Sequence, residues 1–264
     1  MPRTTALALV LLVAAAARAS EPSIDLANAR IVDLTHAFDS TTVYWPTSPS
    51  SFELKELHHG ATDAGYFYAA NTLCTPEHGG THLDAPIHFA EGKWTTAEIP
   101  LERLVAPAVV IDVRAKTKTD PDYRLTAADV EAWEDEHGRI GEGTIVVMVT
   151  GWSSRWPDRR AYLGDDTPGD ASKLRFPSFG ESAAKLLVAE RKVAALGVDT
   201  ASIDYGPSTD FPVHRIAGAA NVVGFENLAN LEQLPATGSW IVALPMKIAG
   251  GSGGPLRAIA LVPR

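Results

Sequence analysis

A chain of 264 residues, 45% hydrophobic and 21% charged, has the composition of an ordinary globular protein with enough apolar material for one large core. Its net charge of −9 excludes nucleic acid as an expected partner, because phosphate backbones need a basic face. The single cysteine, Cys74, excludes an internal disulfide.

Arg3 precedes a continuous apolar run, Ala6 to Ala17, that closes on Ala17-Arg18-Ala19. This layout predicts a secretory signal peptide over residues 1–19, cleaved near Ala19, and a secreted or periplasmic protein. The run falls short of the ~20 apolar residues a membrane span needs, so no membrane association is expected after cleavage. Residues 20–264 are expected to form a single domain. Ile31–Leu34 reads as a short strand and Ala108–Val113 as a stronger one. Thr126 caps a helix reaching about His137, with Asp129 in capping-box position and Gly138 as the stop. Thr144–Val149 reads as a buried strand from its β-branched residues. Gly151–Phe179, rich in Pro, Arg, Asp and Gly, reads as an extended surface excursion of the kind that serves as a lid or interface. An amphipathic helix over Gly180–Arg191 and strands over Val193–Val198, Trp240–Leu244 and Leu256–Val262 follow, with Gly250–Gly254 between the last two. The alternation predicts a mixed α/β domain. Cys74 reads as a small buried strand residue rather than a metal ligand or nucleophile.

The chemistry concentrates in His78-Gly-Gly-Thr-His82-Leu-Asp84-Ala-Pro-Ile-His88. Gly79, Gly80 and Pro86 argue against a helix here. In an extended chain, residues 78, 82, 84 and 88 share one face. His82 and Asp84 would then stand ~6.6 Å apart and one cation could bridge them, but His78 would lie ~13 Å from His82. The chain must therefore fold back, and Gly79-Gly80 is where it can. His, His and Asp make a reasonable three-ligand set for a divalent ion with an open position for water. Elsewhere, Gly151-Trp-Ser-Ser-Arg lacks the second glycine of a nucleophile elbow, and the glycines at 250–254 precede a strand, which argues against phosphate binding.

The string from His78 to His88 resembles the signature of the metal-dependent cyclase family, H-x-G-T-H-x-D-x-P-x-H, at every fixed position. The family includes bacterial kynurenine formamidases and isatin hydrolases. The resemblance continues through Asp33-Leu-Thr-His36, Tyr44-Trp45-Pro46, Gly197-Val-Asp199-Thr with Ile203-Asp204, Phe211-Pro-Val-His214-Arg, Gly224-Phe-Glu226-Asn-Leu, and Pro245 to Pro255. It implies a swivelling β/β/α domain with a mixed, barrel-like sheet and flanking helices, and a homodimer or higher oligomer. It implies that His78, His82 and Asp84 hold a first metal and that Asp84, His214 and Glu226 hold a second, with Glu226 able to bridge. His88 matches the family's proton donor and acceptor, with a third nitrogen ligand as the alternative role. Trp45 matches an aromatic residue of the substrate pocket, with an ordinary core tryptophan as the alternative.

The expected function is hydrolysis of a carbon–nitrogen amide bond in a small aryl substrate. One or two divalent ions, Zn2+ first and Mn2+ as alternative, would lower the pKa of bound water toward ~7, and the resulting hydroxide would attack the carbonyl while His88 protonates the leaving amine. Glu226 leans the expectation toward an arylformamide of N-formylkynurenine type. A cyclic amide of isatin type is the alternative, and a secreted metal- or ligand-binding protein without activity is a third reading. The predicted export sets the chain apart from a cytoplasmic tryptophan-degrading formamidase.

Overall fold

The computed structural model describes residues 25–264, so the expected leader over residues 1–19 lies outside the described residues. In chain order the strands are β1 (Arg30–Asp33), β2 (Glu53–Ala61), β3 (Phe67–Cys74), β4 (His82–Asp84), β5 (Val105–Asp112), β6 (Arg124–Leu125), β7 (Ile145–Val149), β8 (Ser178–Phe179), β9 (Ala195–Val198), β10 (Val223–Glu226), β11 (Ser239–Pro245) and β12 (Gly253–Val262). The helices are α1 (Arg114–Thr117), α2 (Ala127–His137), α3 (Arg159–Leu163), α4 (Glu181–Lys185) and α5 (Pro212–Ala219).

The main sheet closes on itself. β5, β7, β9 and β10 run parallel to one another, and β4, β12 and β11 complete the ring through antiparallel pairs. β1 adds to the same edge of β12 that pairs with β4 further along. This is the mixed, barrel-like sheet expected from the family resemblance.

Alternation along the strands sorts two cores. Ile145, Val147 and Val149 of β7 join Leu83, Phe225, Ile241 and Ala258 inside the ring. Val146 and Met148 face outward, against Leu125, Val130, Trp133 and Leu187 of the helical layer. β7 reads as a continuous apolar run because it is covered on both faces, as parallel strands usually are.

The predicted helix start at Thr126 forms as a reciprocal cap. Asp129 N–H donates to the Thr126 hydroxyl at 3.2 Å, and the Asp129 carboxylate accepts from Thr126 N–H at 2.7 Å. Gly138 ends the helix at a positive φ of 89°, which glycine accepts without strain. The helix expected over Gly180–Arg191 is α-helical only to Lys185 and continues as a π-turn over Leu186–Glu190. That turn delivers Arg191 to Glu134, which it grips through two bonds of 2.7 and 2.8 Å.

Two expectations are corrected. Gly151–Phe179 is not a surface excursion: Trp152, Tyr162, Leu163, Leu174 and Phe176 are buried and form a third core with Val43. Its polar residues lie outside while its widely spaced aromatic residues point in, a pattern too sparse to register as periodicity. Cys74 ends β3 as expected of a strand residue, but it is exposed, because the β2–β3 hairpin stands outside the main sheet.

Candidate metal centre

β4 has three residues, all buried, and sits between β10 and β12. His82 and Asp84 point to one face of it, and Glu226 stands opposite His82 in register on β10. Just before β4 the chain reverses at Gly79-Gly80. Gly80 has φ +58°, and a Cβ there would lie 2.3 Å from the Phe38 ring, so glycine is needed for both angle and space. The reversal brings the His78 ring to 5.5 Å from that of His82. Gly253 on β12 makes room for it, since a Cβ would lie 2.6 Å from His78 Cε1.

The second stretch arrives through α5. Phe211 takes a left-handed conformation, Pro212 starts the helix, and His214 falls in its first turn. The Asp204 carboxylate caps this turn, accepting from the backbone N–H of Val213 and His214 at 3.0 Å each. Asp84 and His214, 130 positions apart in the chain, are thereby brought to a 3.0 Å contact between Asp84 Oδ2 and His214 Nε2.

Five side chains converge. His78 Nδ1 and His82 Nε2 lie 2.6 and 3.2 Å from Asp84 Oδ1. His82 Nε2 is 3.4 Å from Glu226 Oε2, and His214 Nε2 is 3.2 Å from Glu226 Oε1. Ligand atoms of His78, His82 and Asp84 lie within 4.8 Å of one another, as do those of Asp84, His214 and Glu226. These are the two ligand sets implied by the sequence, sharing Asp84.

The donor chemistry fits a divalent cation. Each imidazole is anchored by its far nitrogen, leaving the near nitrogen aimed at the carboxylates. His214 Nδ1 is held by the Asp204 carboxylate at 2.7 Å, His82 Nδ1 by the Gly80 carbonyl at 3.0 Å, and His78 Nε2 by the Ser252 hydroxyl at 2.9 Å. Ser252 in turn donates to Glu77 at 2.6 Å. Outer partners of this kind fix tautomer and orientation at metal sites. Asp84 and Glu226 are buried, and among the described residues neither arginine nor lysine lines the cavity beside them. Two buried carboxylates with imidazoles as their basic partners need protons on those rings or a cation between them.

The titration directions carry the same message. Burial works to raise the Asp84 pKa, but His78, His214 and His82 hold it well below the carboxylate range. Burial and the neighbouring Asp84 charge raise that of Glu226. Burial opposes charging of His82, and the two carboxylates outweigh it, raising the pKa to about 9. For His214, burial is outweighed by Asp204, Asp84 and Glu226, and its pKa rises well above the usual imidazole range. The pocket thus holds a net demand for positive charge, which a divalent ion meets without protonating its ligands.

His88 follows Pro86 in a short 3-10 turn and belongs to neither ligand set. Its ring stacks on His78 at 3.8 Å and stands 6.1 Å from that of His214. It is open to the cavity yet crowded by protein. Desolvation, opposed by Asp84 and reinforced by the imidazoles of His78 and His214, pulls its pKa down to about 4, so the ring is neutral at neutral pH.

A cavity of about 380 Å³ opens onto these groups. Trp45, Phe89 and Phe211 form its aromatic side, with Phe89 and Phe211 5.3 Å apart and Trp45 6.4 Å from Phe211. Trp45 also packs edge-on against Phe176 of the third core, so it is both a cavity wall and a core residue. His36, away from the ligand sets, stacks on Trp156 at 4.3 Å. Four contributors were not singled out from sequence: Asp204, Ser252, Glu77 and Phe89. No local spacing marks them, although Glu77 adjoins His78 and Asp204 lies in a stretch that resembles the family.

The family model described as "Putative cyclase" matches residues 32–205. The chain belongs to the cyclase family of metal-dependent hydrolases. It is 40% identical to the isatin hydrolase of Roseibium aggregatum over 208 residues, covering 76% of this chain and 77% of that one. It is 26% identical to the kynurenine formamidase of Salinibacter ruber, covering 87% of this chain and 96% of that one. A crystal structure of an isatin hydrolase bound to the product analogue thioisatinate superposes with a TM-score of 0.83 at 34% identity, covering 90% of this chain and 94% of that one. The fold of this cyclase-family chain is therefore shared with a solved hydrolase across nearly its whole described length.

Asp204 offers a test of the anchoring argument. Asp204→Asn keeps the volume but turns one acceptor into an amide donor facing His214 Nδ1. The expected result is roughly 10–100-fold weaker metal binding with an unchanged far-ultraviolet spectrum. Competition against a chromogenic chelator measures it, and unaltered affinity would remove Asp204 from the account.

Proposed function

We propose that this chain hydrolyses the amide bond of a small cyclic aryl amide of isatin type. The observation that carries the reading is the cavity itself, which combines aromatic walls with the five-ligand cluster and has, among the described residues, neither lysine nor arginine in its lining. An aryl ring slots against Trp45, Phe89 and Phe211, where aromatic contacts supply area with defined geometry. N-formylkynurenine carries an amino-acid carboxylate that such a lining leaves without a cationic partner. Similarity points the same way, at 40% identity to an isatin hydrolase against 26% to a kynurenine formamidase. The arylformamide put first by the sequence reading is kept as second, because the Glu226 carboxylate completes a second ligand set.

His78, His82, Asp84, His214 and Glu226 would hold one or two divalent ions, Zn2+ or Mn2+, both of which suit mixed imidazole and carboxylate donors. A bound ion supplies Lewis acidity toward water and the substrate carbonyl. His88 takes a proton from the attacking water and delivers it to the departing ring nitrogen. One carbon–oxygen bond forms, the carbon–nitrogen bond breaks, and the products are a carboxylate and an aryl amine on one molecule. The aromatic walls hold the ring so that its amide faces His88. The apolar run from Ala6 to Ala17 supports, as part of this proposal, an activity exported from the cytoplasm; no helix among the described residues is long and apolar enough to cross a membrane.

The test is turnover of isatin and N-formylkynurenine by the metal-loaded protein, with and without chelator. The expected result is a kcat/KM for isatin at least tenfold above that for N-formylkynurenine, abolished by chelation. The reverse preference would move the assignment to the formamide, and turnover of neither would favour a binding protein on the same scaffold.

A further inference from the structure

Asn227 is a polar residue to which neither the ligand sets nor the proposed hydrolysis gives a role. It follows Glu226 directly, lines the cavity and is 2% exposed. Its backbone is left-handed, with φ +54°, a conformation that asparagine enters more readily than most residues but still at a cost. A non-glycine residue held there beside a functional cavity points to a task for its side chain.

All four polar atoms of Asn227 are engaged. Nδ2 donates to the Gly80 carbonyl at 2.7 Å, and the Asn227 carbonyl accepts from the Thr81 hydroxyl at 2.6 Å. Oδ1 accepts from the Tyr162 hydroxyl at 2.9 Å, and the backbone N–H donates to the Thr200 carbonyl at 2.9 Å. Residues 80 and 81 lead straight into His82. The Gly80 carbonyl is the group that receives His82 Nδ1–H at 3.0 Å, which leaves Nε2 to face Asp84 and Glu226. Gly80 belongs to the left-handed reversal before β4, so its carbonyl direction is not set by a strand ladder. The Asn227 amide supplies that restraint.

The residue type suits the place. Asparagine offers a donor at one end of its amide and an acceptor at the other, so it can hold a carbonyl on one side and a hydroxyl on the other. Aspartate could not donate to Gly80. Tyr162 is fully buried in the third core, which the stretch Gly151–Phe179 builds. Its hydroxyl carries the position of that core to Asn227.

We infer that Asn227 is a positioning residue for His82: it pins the Gly80 carbonyl that fixes the imidazole, and Tyr162 in turn orients the Asn227 amide. The inference rests on the reading of His82 as a metal ligand.

The left-handed backbone makes glycine the clean substitution, because Asn227→Gly removes the amide without straining the main chain. The Gly80 carbonyl keeps His82, and the Tyr162 hydroxyl keeps the Asp199 carbonyl at 3.1 Å, so neither is left unpaired. Competition for Zn2+ against a chromogenic chelator, run beside thermal melting of the metal-free protein, tests the inference. Asn227→Gly is expected to bind Zn2+ roughly tenfold or more weakly, with little change in metal-free melting. Tyr162→Phe is expected to weaken binding about threefold on its own and to add nothing in the Asn227→Gly background, the non-additivity of two residues acting in series. Nitrogen-15 histidine spectra of the Zn2+-loaded unaltered protein should show His82 with Nδ1 protonated and Nε2 on the metal, and Asn227→Gly should lose that single pattern. Equal Zn2+ affinity in Asn227→Gly, a loss of affinity matched by a fall in metal-free melting, or a further loss when Tyr162→Phe is added to Asn227→Gly would overturn the inference. An unaltered protein that binds no Zn2+ would overturn the reading of His82 as a ligand, and this inference with it.

Discussion

Replacing Asp84 with asparagine is expected to strip the site of metal and lower kcat/KM by at least about 10³-fold, roughly 4 kcal/mol of transition-state stabilisation. The size follows from its position. Asp84 is the one residue common to both ligand sets, with Oδ1 facing His78 and His82 and Oδ2 facing His214. Among the described residues no other carboxylate is placed to replace it, since Glu226 sits across the strand pair and already serves His82 and His214. An ion that lowers the pKa of water and stabilises a developing oxyanion accounts for many powers of ten. Asparagine has the same shape and can keep its contacts within buried β4, so the barrel should fold as before. Elemental analysis with steady-state kinetics decides it: a variant that retains its metal and its rate would take Asp84 out of the site.

Replacing His88 with alanine is expected to separate proton transfer from metal binding. Its ring lies against His78 but outside both ligand sets. The variant should therefore keep its metal while kcat falls by roughly 10²–10⁴-fold, the usual contribution of a positioned acid–base group. KM should change little, because the aromatic walls that grip the ring are untouched. An aryl ester of similar shape, whose leaving oxygen needs less help from a proton, should lose less than the amide. Loss of metal from this variant would instead make His88 a ligand, the alternative that spacing alone left open.

How much of this was legible depends on the range of the interaction. The shared face of His82 and Asp84 and the reversal at Gly79-Gly80 follow from local geometry, and the structure shows both. The same holds for the α2 cap at Thr126 and Asp129 and for the continuous apolar run of β7. The meeting of Asp84 with His214 and Glu226 is different. It depends on β4 lying between β10 and β12 and on α5 starting beneath Asp204, pairings that no local period encodes; only the family resemblance reached them. The β2–β3 hairpin escaped detection because it is exposed on both faces, mixes polar with apolar residues and lacks the in–out alternation of a half-buried strand. Gly151–Phe179 misled for the opposite reason, since its many polar residues hide the few aromatic ones that build a core. Asp204, Ser252 and Glu77 act through the far side of the His214 and His78 imidazoles, and a ligand's outer partner has no fixed distance along the chain.

If five side chains from two distant stretches hold the divalent metal on which hydrolysis depends, metal and activity must be lost and regained together. The most direct test is to strip the protein with chelator, confirm by elemental analysis that it is metal-free, and titrate Mn2+ or Zn2+ back while following amide hydrolysis. The stripped protein is expected to show no turnover, with recovery that saturates at one or two equivalents per chain. Full turnover by protein shown to be metal-free would contradict that dependence.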